Sequence, residues 1–357
     1  MTLEDKAVQG ATPADATAKD ATIKDVAKLA GVSPSTVSYA LSGKRPLSEA
    51  VRQRVEAAVR ALDYAPSTLA RNLRRGSSRT VGLVYPLPVA LTGEPVSDCI
   101  GAVADALGER YTLSLFSHAA SPEGLLEALR ERRVDGLILM QIQRRDPRVE
   151  ALRGGEHPVV LIGRPEDPTG LSLVDFDFEG AAYRSVEHLA RLGHRRVGYI
   201  DFPAAQREEG LGYTFYLERG YRRARRDFAV DLVRQEVTTG GTEGGYRATC
   251  ALLDAGPDLT AIVASVGNTQ MGVLRALHAR GKVVPHDLSV VCLSTPELAA
   301  WTVPSLTSVD IPLTAMGREG AALLLRKMAG EGRPQQVLFP AEVTARESTA
   351  PPGARRA

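Results

Sequence analysis

The chain has 357 residues and a formal net charge of +2, and 44% of its residues are hydrophobic. No run of 18 apolar residues and no charged-then-apolar leader occurs, which excludes a membrane-spanning helix and a signal peptide of the usual kind. The three cysteines, Cys99, Cys250 and Cys292, lack metal or disulfide spacing, so the length and composition predict a multidomain protein of a reducing cytoplasm.

Residues 1–20 are rich in Ala, Thr and Asp and show no hydrophobic periodicity. Such a segment cannot bury enough apolar surface to fold, so we expect a disordered tail.

Residues 21–65 have the pattern of three short helices. Thr22 and Asp25 are spaced for a helix N-terminus, and Gly31 suits the positive φ that ends a helix. Ser33 and Pro34 then start a second helix. A third helix follows, with an apolar stripe at Val51, Val55, Ala58, Val59 and Leu62. Two helices joined by a tight glycine turn and supported by a third predict a helix-turn-helix domain.

Charge distinguishes this segment from a plain three-helix bundle. From Thr22 to Thr80 there are 11 Lys and Arg against 4 Asp and Glu, a net charge of +7. Because the whole chain carries +2, the remainder carries −5. A basic head on an acidic body is typical of a protein that binds nucleic acid.

The stretch TIKDVAKLAGVSPSTVSYALSG, followed by VRQRVEAAVRALDYAPSTLARNL, resembles the head of the lactose-repressor/galactose-repressor family of bacterial transcription regulators. The resemblance continues through the rest of the chain. It implies that Ser33–Leu41 is the recognition helix, whose N-terminal residues enter the major groove. It also implies that Pro34, Ser35 and Tyr39 read bases.

Many relatives carry Arg or His where this chain has Tyr39. Tyrosine offers one hydroxyl and an apolar ring edge suited to a thymine methyl, so the operator sequence is open. The alternative is that Tyr39 packs within the head. By position, Thr36 and Ser38 lie near phosphates. The DNA-binding residues predicted in the head are Thr22, Lys24, Ser33, Pro34, Ser35, Thr36, Ser38, Tyr39, Lys44 and Arg45.

Residues 66–78 resemble the family's hinge helix and its linker. The helix would be only about two turns long, which is too short to be stable alone in water. The resemblance implies that Leu73 wedges into the minor groove and that Ala70 lets two hinge helices approach each other. The DNA contacts predicted here are Ala70, Arg71, Leu73 and Arg74. The alternative is a solvated interdomain linker.

From residue 79 to 346, short apolar strands alternate with helical stretches. We predict strands at Val81–Pro86, Thr112–Ser117, Asp135–Met140, Pro158–Gly163, Arg196–Ile200, Ala261–Val266, Leu288–Leu293 and Leu306–Ile311. We predict helices at Ser97–Glu109, Gly124–Arg132, Gly180–Leu192 and Thr269–Arg280. Continuous apolar runs indicate strands buried on both faces. The fold class is therefore an all-α head plus a two-lobed α/β body of doubly wound parallel sheets, which resembles periplasmic binding proteins.

The family resemblance implies three crossings between the lobes, near Val174–Phe178, Val309–Pro312 and Gln336–Phe339. We therefore expect an N-lobe of about 79–176 and 311–337, a C-lobe of about 177–309 and 338–346, and a flexible tail at 347–357. His194, in a Gly-His pair, is expected to be a structural turn residue.

Ligands of such folds bind between the lobes, at the carboxyl ends of the strands. Sugar-responsive relatives grip hydroxyls with an Arg, an Asn-Asp pair and an Asp, and these positions align with Leu217, Val266-Gly267 and Ser294. Either the effector is not a typical sugar, or the register shifts so that Arg219 or Asn268 replaces these groups, or no effector is used. The candidate effector-binding residues are Tyr85, Asp201, Tyr216, Leu217, Arg219, Val266, Asn268, Ser294 and Trp301.

These patterns predict a sequence-specific transcriptional regulator, a repressor that binds a palindromic operator as a homodimer and carries an allosteric small-molecule cleft. The predicted partners are double-stranded operator DNA, a second copy of the chain and an unknown effector that is not a common sugar. We expect no membrane partner, cofactor, metal or catalytic site, and a cytoplasmic location on the nucleoid when operator is bound. The alternative is a ligand-binding carrier or a sugar-processing α/β protein without specific DNA function.

Overall fold

The computed structural model describes residues 21–42, 45–64, 77–85, 96–117, 121–237, 240–256, 258–265, 269–331 and 333–353. The chain divides into two compact units between Gly76 and Ser77. The predicted N-terminal tail and several predicted contact residues lie outside the described residues, namely Lys44, Ala70, Arg71, Leu73, Arg74, Val266 and Asn268.

The described residues of the first unit form three helices: α1 (Ile23–Ala30), α2 (Pro34–Ser42) and α3 (Glu49–Ala61). The Asp25 carboxylate accepts hydrogen bonds from the Thr22 backbone N–H (2.9 Å) and hydroxyl (2.7 Å), which satisfies groups at the start of α1. Gly31 ends α1 with a φ of 65°. The helices enclose a small core of Val26, Ala27, Ala30, Val37, Val55 and Ala58.

The second unit is an α/β body. In chain order its elements are β1 (Thr80–Tyr85), α4 (Val96–Leu107), a 3-10 turn (Gly108–Arg110), β2 (Thr112–Ser117), α5 (Pro122–Arg130), β3 (Gly136–Leu139), α6 (Pro147–Leu152), β4 (Val159–Ile162), β5 (Leu173–Phe176), α7 (Phe178–Arg191), β6 (Arg196–Asp201), α8 (Ala204–Glu208), α9 (Gly212–Phe228), β7 (Asp231–Glu236), α10 (Gly241–Ala255), β8 (Ala261–Ala264), α11 (Gln270–Ala279), β9 (Ser289–Ser294), α12 (Pro296–Ala300), β10 (Thr307–Asp310), α13 (Leu313–Met328), β11 (Gln336–Phe339) and β12 (Val343–Thr344).

Two six-stranded sheets form the two lobes. The N-lobe sheet has the order β11-β5-β4-β3-β1-β2 and the C-lobe sheet the order β12-β10-β9-β8-β6-β7. All strand pairs are parallel except β12 with β10. The central strands β1, β3, β8 and β9 are buried along nearly their whole length, as a sheet covered on both faces requires. The predicted fold class is confirmed.

All eight predicted strands are present, but four others escaped prediction: β5, β7, β11 and β12. β5 is a short apolar run interrupted by Asp175, and β7 reads DLVRQE because it is an edge strand with one face toward solvent. Neither shows the continuous hydrophobicity that marks a central parallel strand.

The third lobe crossing lies later than we predicted. Residues 336–339 form β11 in the N-lobe sheet, and the chain enters the C-lobe sheet only at Val343. The boundary at 338 is therefore wrong, and residues 340–342 make the crossing. A two-residue antiparallel strand such as β12 has too little hydrophobic pattern to be recognised in sequence.

The expected flexible tail at 347–357 is also wrong over its first residues. The Ser348 hydroxyl is fully buried, accepts from the Thr307 backbone N–H (2.8 Å) and donates to the Val290 carbonyl (2.6 Å). His194 Nε2 donates to the Ala350 carbonyl (2.9 Å), and its Nδ1 lies 2.9 Å from Thr260 Oγ1. His194 is thus a structural residue that holds the end of the chain against the C-lobe.

Ser348→Ala should lower the free energy of unfolding by about 1–3 kcal/mol, because it leaves a buried amide and a buried carbonyl without their partner. Urea denaturation measures this change. Ser97→Ala, at an exposed position in the first turn of α4, is the matched control and should change it by less than about 0.5 kcal/mol. Equal effects of the two substitutions would contradict a structural role for the tail.

Candidate DNA-binding head and interlobe cavity

The side of α2 that the sequence assigns to DNA is exposed. Pro34, Ser35 and Tyr39 are exposed, Thr36 and Ser38 are half-buried, and Val37 is buried in the core. The Ser33 hydroxyl accepts from the Thr36 backbone N–H (3.1 Å), which organises the first turn of the helix.

A positively charged side chain lies beside this surface of the head. The Arg45 guanidinium carbon lies 5.7 Å from the centre of the Tyr39 ring, so a cation stands beside the proposed base-reading side chain. Thr22 and Lys24 are exposed at the start of α1. These positions leave the predicted residues accessible for contacts with phosphates and base edges.

A half-open cavity of about 150 Å³ lies between the two lobes. Its walls come from the carboxyl ends of strands in both sheets, where ligands of open α/β sheets bind. From the N-lobe side the lining residues are Val96, Met140, Gln141, Ile142, Ile162, Gly163, Arg164, Asp175, Leu313 and Met316. From the C-lobe side they are Phe178, Phe202, Tyr213, Ser265, Leu293, Ser294, Thr295 and Leu298, with Ile311 at the crossing.

Aromatic rings form one wall of the cavity. The ring centre of Tyr213 lies 4.9 Å from that of Phe202 and 5.8 Å from that of Phe178, both in tilted arrangements. Phe178 also packs edge-on against Phe176 at 5.2 Å. Such a wall offers contact area to an apolar or planar ligand.

One buried ion pair lines the opposite side. Arg164 Nε lies 3.3 Å from Asp175 Oδ2, and the guanidinium stacks on the Tyr216 ring at 4.0 Å from its centre. Among the described residues no hydrogen bond with good geometry satisfies Arg164 Nε. Burial raises the pKa of the Asp175 carboxyl to about 7, although Arg164 opposes the shift.

Two hydroxyl groups on the C-lobe side have protein partners. Ser265 Oγ lies 2.5 Å from Tyr221 Oη, and Ser294 Oγ accepts from Gln270 Nε2 at 3.2 Å. These bonds use part of the hydrogen-bonding capacity of both serines.

Backbone contacts between the lobes close the cavity on one side. The Gly212 N–H donates to the Ile142 carbonyl (2.9 Å), and the Arg144 N–H donates to the Gly210 carbonyl (2.8 Å). Tyr216 Oη donates to the Pro165 carbonyl at 3.0 Å. The stretch from Gly210 to Tyr216 therefore supplies contacts between the lobes.

Of the seven described candidates for the effector site, only Ser294 lines the cavity. Tyr85 and Leu217 are buried in the core. The Asp201 carboxylate accepts hydrogen bonds from Arg207 and Arg234 at the end of β6. The Tyr216 ring packs against the Arg164 guanidinium.

Two further candidates lie on the surface, so our prediction that they belong to the effector site is wrong. Arg219 is paired with Glu179 at 3.2 Å, and the Trp301 side chain is 83% exposed. Neither lines the cavity. An exposed tryptophan on a short loop has the same sequence signature as one that closes a ligand site, so the pattern alone could not separate the two.

Sequence reasoning missed Arg164, Asp175 and the three aromatic residues of the wall. The signal for the ion pair was present, since Arg164 directly follows the buried run VVLIG and Asp175 interrupts the buried run LVDF. A charge inside an apolar strand needs a partner or a function. The pairing itself depends on which strands are neighbours, and that is visible only in the fold.

Within the described ranges, no cluster of His, Cys, Asp or Glu could hold a metal ion, and no helix is long and apolar enough to cross a membrane.

Comparison with known proteins agrees with both units. Residues 22–67 match the pattern of bacterial regulatory proteins of the lacI family, and residues 186–349 match a periplasmic binding protein-like domain. The HTH-type transcriptional regulator CelR of Thermobifida fusca is 32% identical over 337 residues, which cover 92% of this chain and 98% of CelR.

Two solved structures share the architecture. A complex of the transcriptional regulator CelR with cellobiose is 29% identical, covers 92% of this chain and 99% of its own, and has a TM-score of 0.65. The lac repressor dimer bound to operator and the anti-inducer ONPF is 25% identical, covers 93% and 100% of the respective chains, and has a TM-score of 0.76.

A helix-turn-helix head followed by a two-lobed ligand-binding body defines a DNA-binding regulator rather than an enzyme or a carrier. The chain belongs to the lacI family of bacterial regulatory proteins and is a transcriptional repressor.

Asp175→Asn should become progressively more stable relative to the wild type as pH rises from about 4 to 7, and the difference should level off above that. The folded-state pKa of Asp175 is raised to about 7, so wild-type stability falls as pH rises from the unfolded-state pKa of about 4 to the folded-state value and is constant beyond it. Urea denaturation across this range measures the difference in unfolding free energy. Asp105→Asn, which removes an exposed carboxylate from α4, is the control. A difference that does not vary with pH would contradict the raised pKa.

Proposed function

We propose that the protein binds a palindromic operator as a homodimer and that a small effector in the interlobe cavity controls this binding. The observation that carries the proposal is an exposed, basic helix-turn-helix surface joined to a body with a cavity between its lobes. Selection of bound fragments from a random DNA pool tests it, and we expect the selected sites to be two-fold symmetric. Asymmetric sites, or none, would contradict it.

Base recognition is assigned to Pro34, Ser35 and Tyr39, with phosphate contacts from the basic residues around them. One such head contacts too little DNA for useful affinity, and two heads related by a two-fold axis double the contact. The solved lac repressor relative is described as a dimer bound to operator, which supports the same arrangement for this chain.

The surface we assign to the dimer contact includes Trp301 and Val303. Their side chains are 83% and 93% exposed, and both follow the short helix α12. Large exposed apolar side chains that lie close together mark interaction sites. Because the operator-bound relative is a dimer, we assign a second copy of this chain as the occupant.

The effector is proposed not to be a common sugar. The relative with cellobiose in its complex makes sugars the natural rival. In this cavity, however, Ser265 and Ser294 are already paired with protein groups, and most of the lining side chains are apolar. Polar partners for several adjacent hydroxyls are therefore scarce, and each unpaired buried hydroxyl costs about 1–3 kcal/mol.

Tyr39→Arg should change the preferred base at one position of each half-site. Arginine adds a bidentate donor pair worth about 1–3 kcal/mol of discrimination for guanine. A saturation library of half-sites measures the preference. Leu29→Arg, at an exposed position of α1, adds the same charge and should raise only non-specific affinity. Identical base preferences for Tyr39→Arg and wild type would show that Tyr39 does not face a base.

Trp301→Glu should convert the dimer to monomers without unfolding the chain, because the side chain is exposed within one subunit. Sedimentation velocity measures the oligomeric state, and operator affinity should fall with dimerisation. Leu338→Glu, which places the same charge at an exposed position of edge strand β11, should leave the dimer intact. A Trp301→Glu variant that remains dimeric would contradict the assigned surface.

Millimolar glucose, galactose, ribose and cellobiose should not raise the melting temperature or release operator DNA. A ligand at about 100 times its dissociation constant would stabilise the folded state by about 2.7 kcal/mol, which a melting assay detects readily. If one of these sugars shifts the melting curve and Ser294→Ala abolishes the shift, the cavity is a sugar site and this part of the proposal fails.

A further inference from the structure

We infer that the interlobe cavity takes a small, single-ring or similarly compact apolar carboxylate, whose anionic group pairs with Arg164. This inference rests on the proposed function, since it names the effector class of the same cavity. It depends on three properties of the cavity: its size, its lining and the contacts of Arg164.

The size of the cavity limits the ligand. The cavity volume of about 150 Å³ equals that of an engineered protein cavity that binds benzene. One ring with a short substituent therefore matches the size of this space.

The lining favours an apolar body. Twelve of the lining side chains are aliphatic or aromatic, and they are Val96, Met140, Ile142, Ile162, Phe178, Phe202, Tyr213, Leu293, Leu298, Ile311, Leu313 and Met316. The Tyr213 ring lies between Phe202 and Phe178. A planar ring packs on this wall by offset or edge contacts, and burial of its surface drives binding.

Arg164 supplies the complementary charge. Its guanidinium is fixed against the Tyr216 ring on one side, and its contact with Asp175 at 3.3 Å is longer than a charge-assisted hydrogen bond. Nε has no well-aligned acceptor among the described residues. A planar carboxylate matches the donor fork of a guanidinium better than a hydroxyl or an amide does.

Asp175 determines how much of that charge is available to a ligand. It is the only acidic side chain that lines the cavity within the described ranges. Because burial disfavours its ionised form, it is a weak competitor for Arg164, and in its protonated form it can donate to the incoming carboxylate. A cationic ligand gains nothing at this site, since Arg164 repels it.

Three isosteric probes separate charge from shape: benzoate, benzamide and benzamidine. Isothermal titration calorimetry with the full-length protein at pH 7 should show benzoate binding at least about tenfold more tightly than either of the others, which corresponds to one charge-assisted contact. Equal or tighter binding of benzamide or benzamidine would overturn the inference.

Substitutions test whether Arg164 contacts the carboxylate of the ligand. Arg164→Met should abolish the preference for benzoate, and Arg164→Lys should retain part of it. Asp175→Asn should bind benzoate at least as tightly as wild type, because the competing carboxylate is gone. Arg219→Met, whose exposed side chain is paired with Glu179 outside the cavity, is the matched control and should behave as wild type. A preference that survives Arg164→Met in a folded variant would overturn the assignment.

Operator binding is measured in parallel on the same preparations. Binding of operator by wild type without binding of any probe at millimolar concentration would refute the ligand class and leave the proposed function standing. Failure to bind any selected DNA site would refute the proposed function instead, so the two failures are distinguishable.

Discussion

The close approach of the two lobes at Gly212 is the contact on which the effector cavity depends. A Cβ atom at this position would lie 2.5 Å from the Arg164 carbonyl oxygen and 3.2 Å from the Ile142 carbonyl oxygen. Only glycine lets the start of α9 donate its N–H to Ile142 at 2.9 Å. The same stretch places Tyr216 over the guanidinium of Arg164, the cation that lines the cavity among the described residues.

Three hydrogen bonds between described residues join the lobes at this contact. The Gly212, Arg144 and Tyr216 donors each contribute about 0.5–1.5 kcal/mol net. A ligand shifts such an equilibrium only by its differential affinity for the two states. The interlobe hydrogen bonds together contribute a few kcal/mol, which is within the range that the binding of a small molecule can supply or oppose. A contact of this strength suits a regulatory cleft.

The DNA-binding head and the α/β body depend on different interactions for their function. In the head, a small apolar core positions exposed α2 residues amid positive charge, and affinity for DNA follows mainly from that charge. In the body, two buried parallel sheets provide stability, and specificity arises where their carboxyl ends meet. Residues 347–350 belong to this scaffold because buried groups of the C-lobe require Ser348 and Ala350 as partners.

The sequence was most informative where a pattern is local. The helix-turn-helix, with Thr22, Gly31 and Pro34 at its boundaries, and the central strands of both sheets follow from spacing and hydrophobicity alone. The cavity could not be predicted in this way, because Arg164 and Asp175 meet only when β4 and β5 pair in the N-lobe sheet. Trp301 was wrongly predicted to line the effector cavity. Its position on a loop after β9 does not determine whether the side chain faces the cavity or the solvent.

Coupling between lobe closure and DNA binding is the central claim, and Gly212→Ala tests it most directly. Spin labels placed one on each lobe report their separation, and operator affinity is measured on the same protein. Gly101→Ala, where an added Cβ meets nothing within 4 Å, is the matched control. We predict that Gly212→Ala separates the lobes and shifts operator affinity by about 5- to 150-fold, the usual range of allosteric coupling, while the control changes neither. Separated lobes with operator affinity equal to wild type would contradict the account.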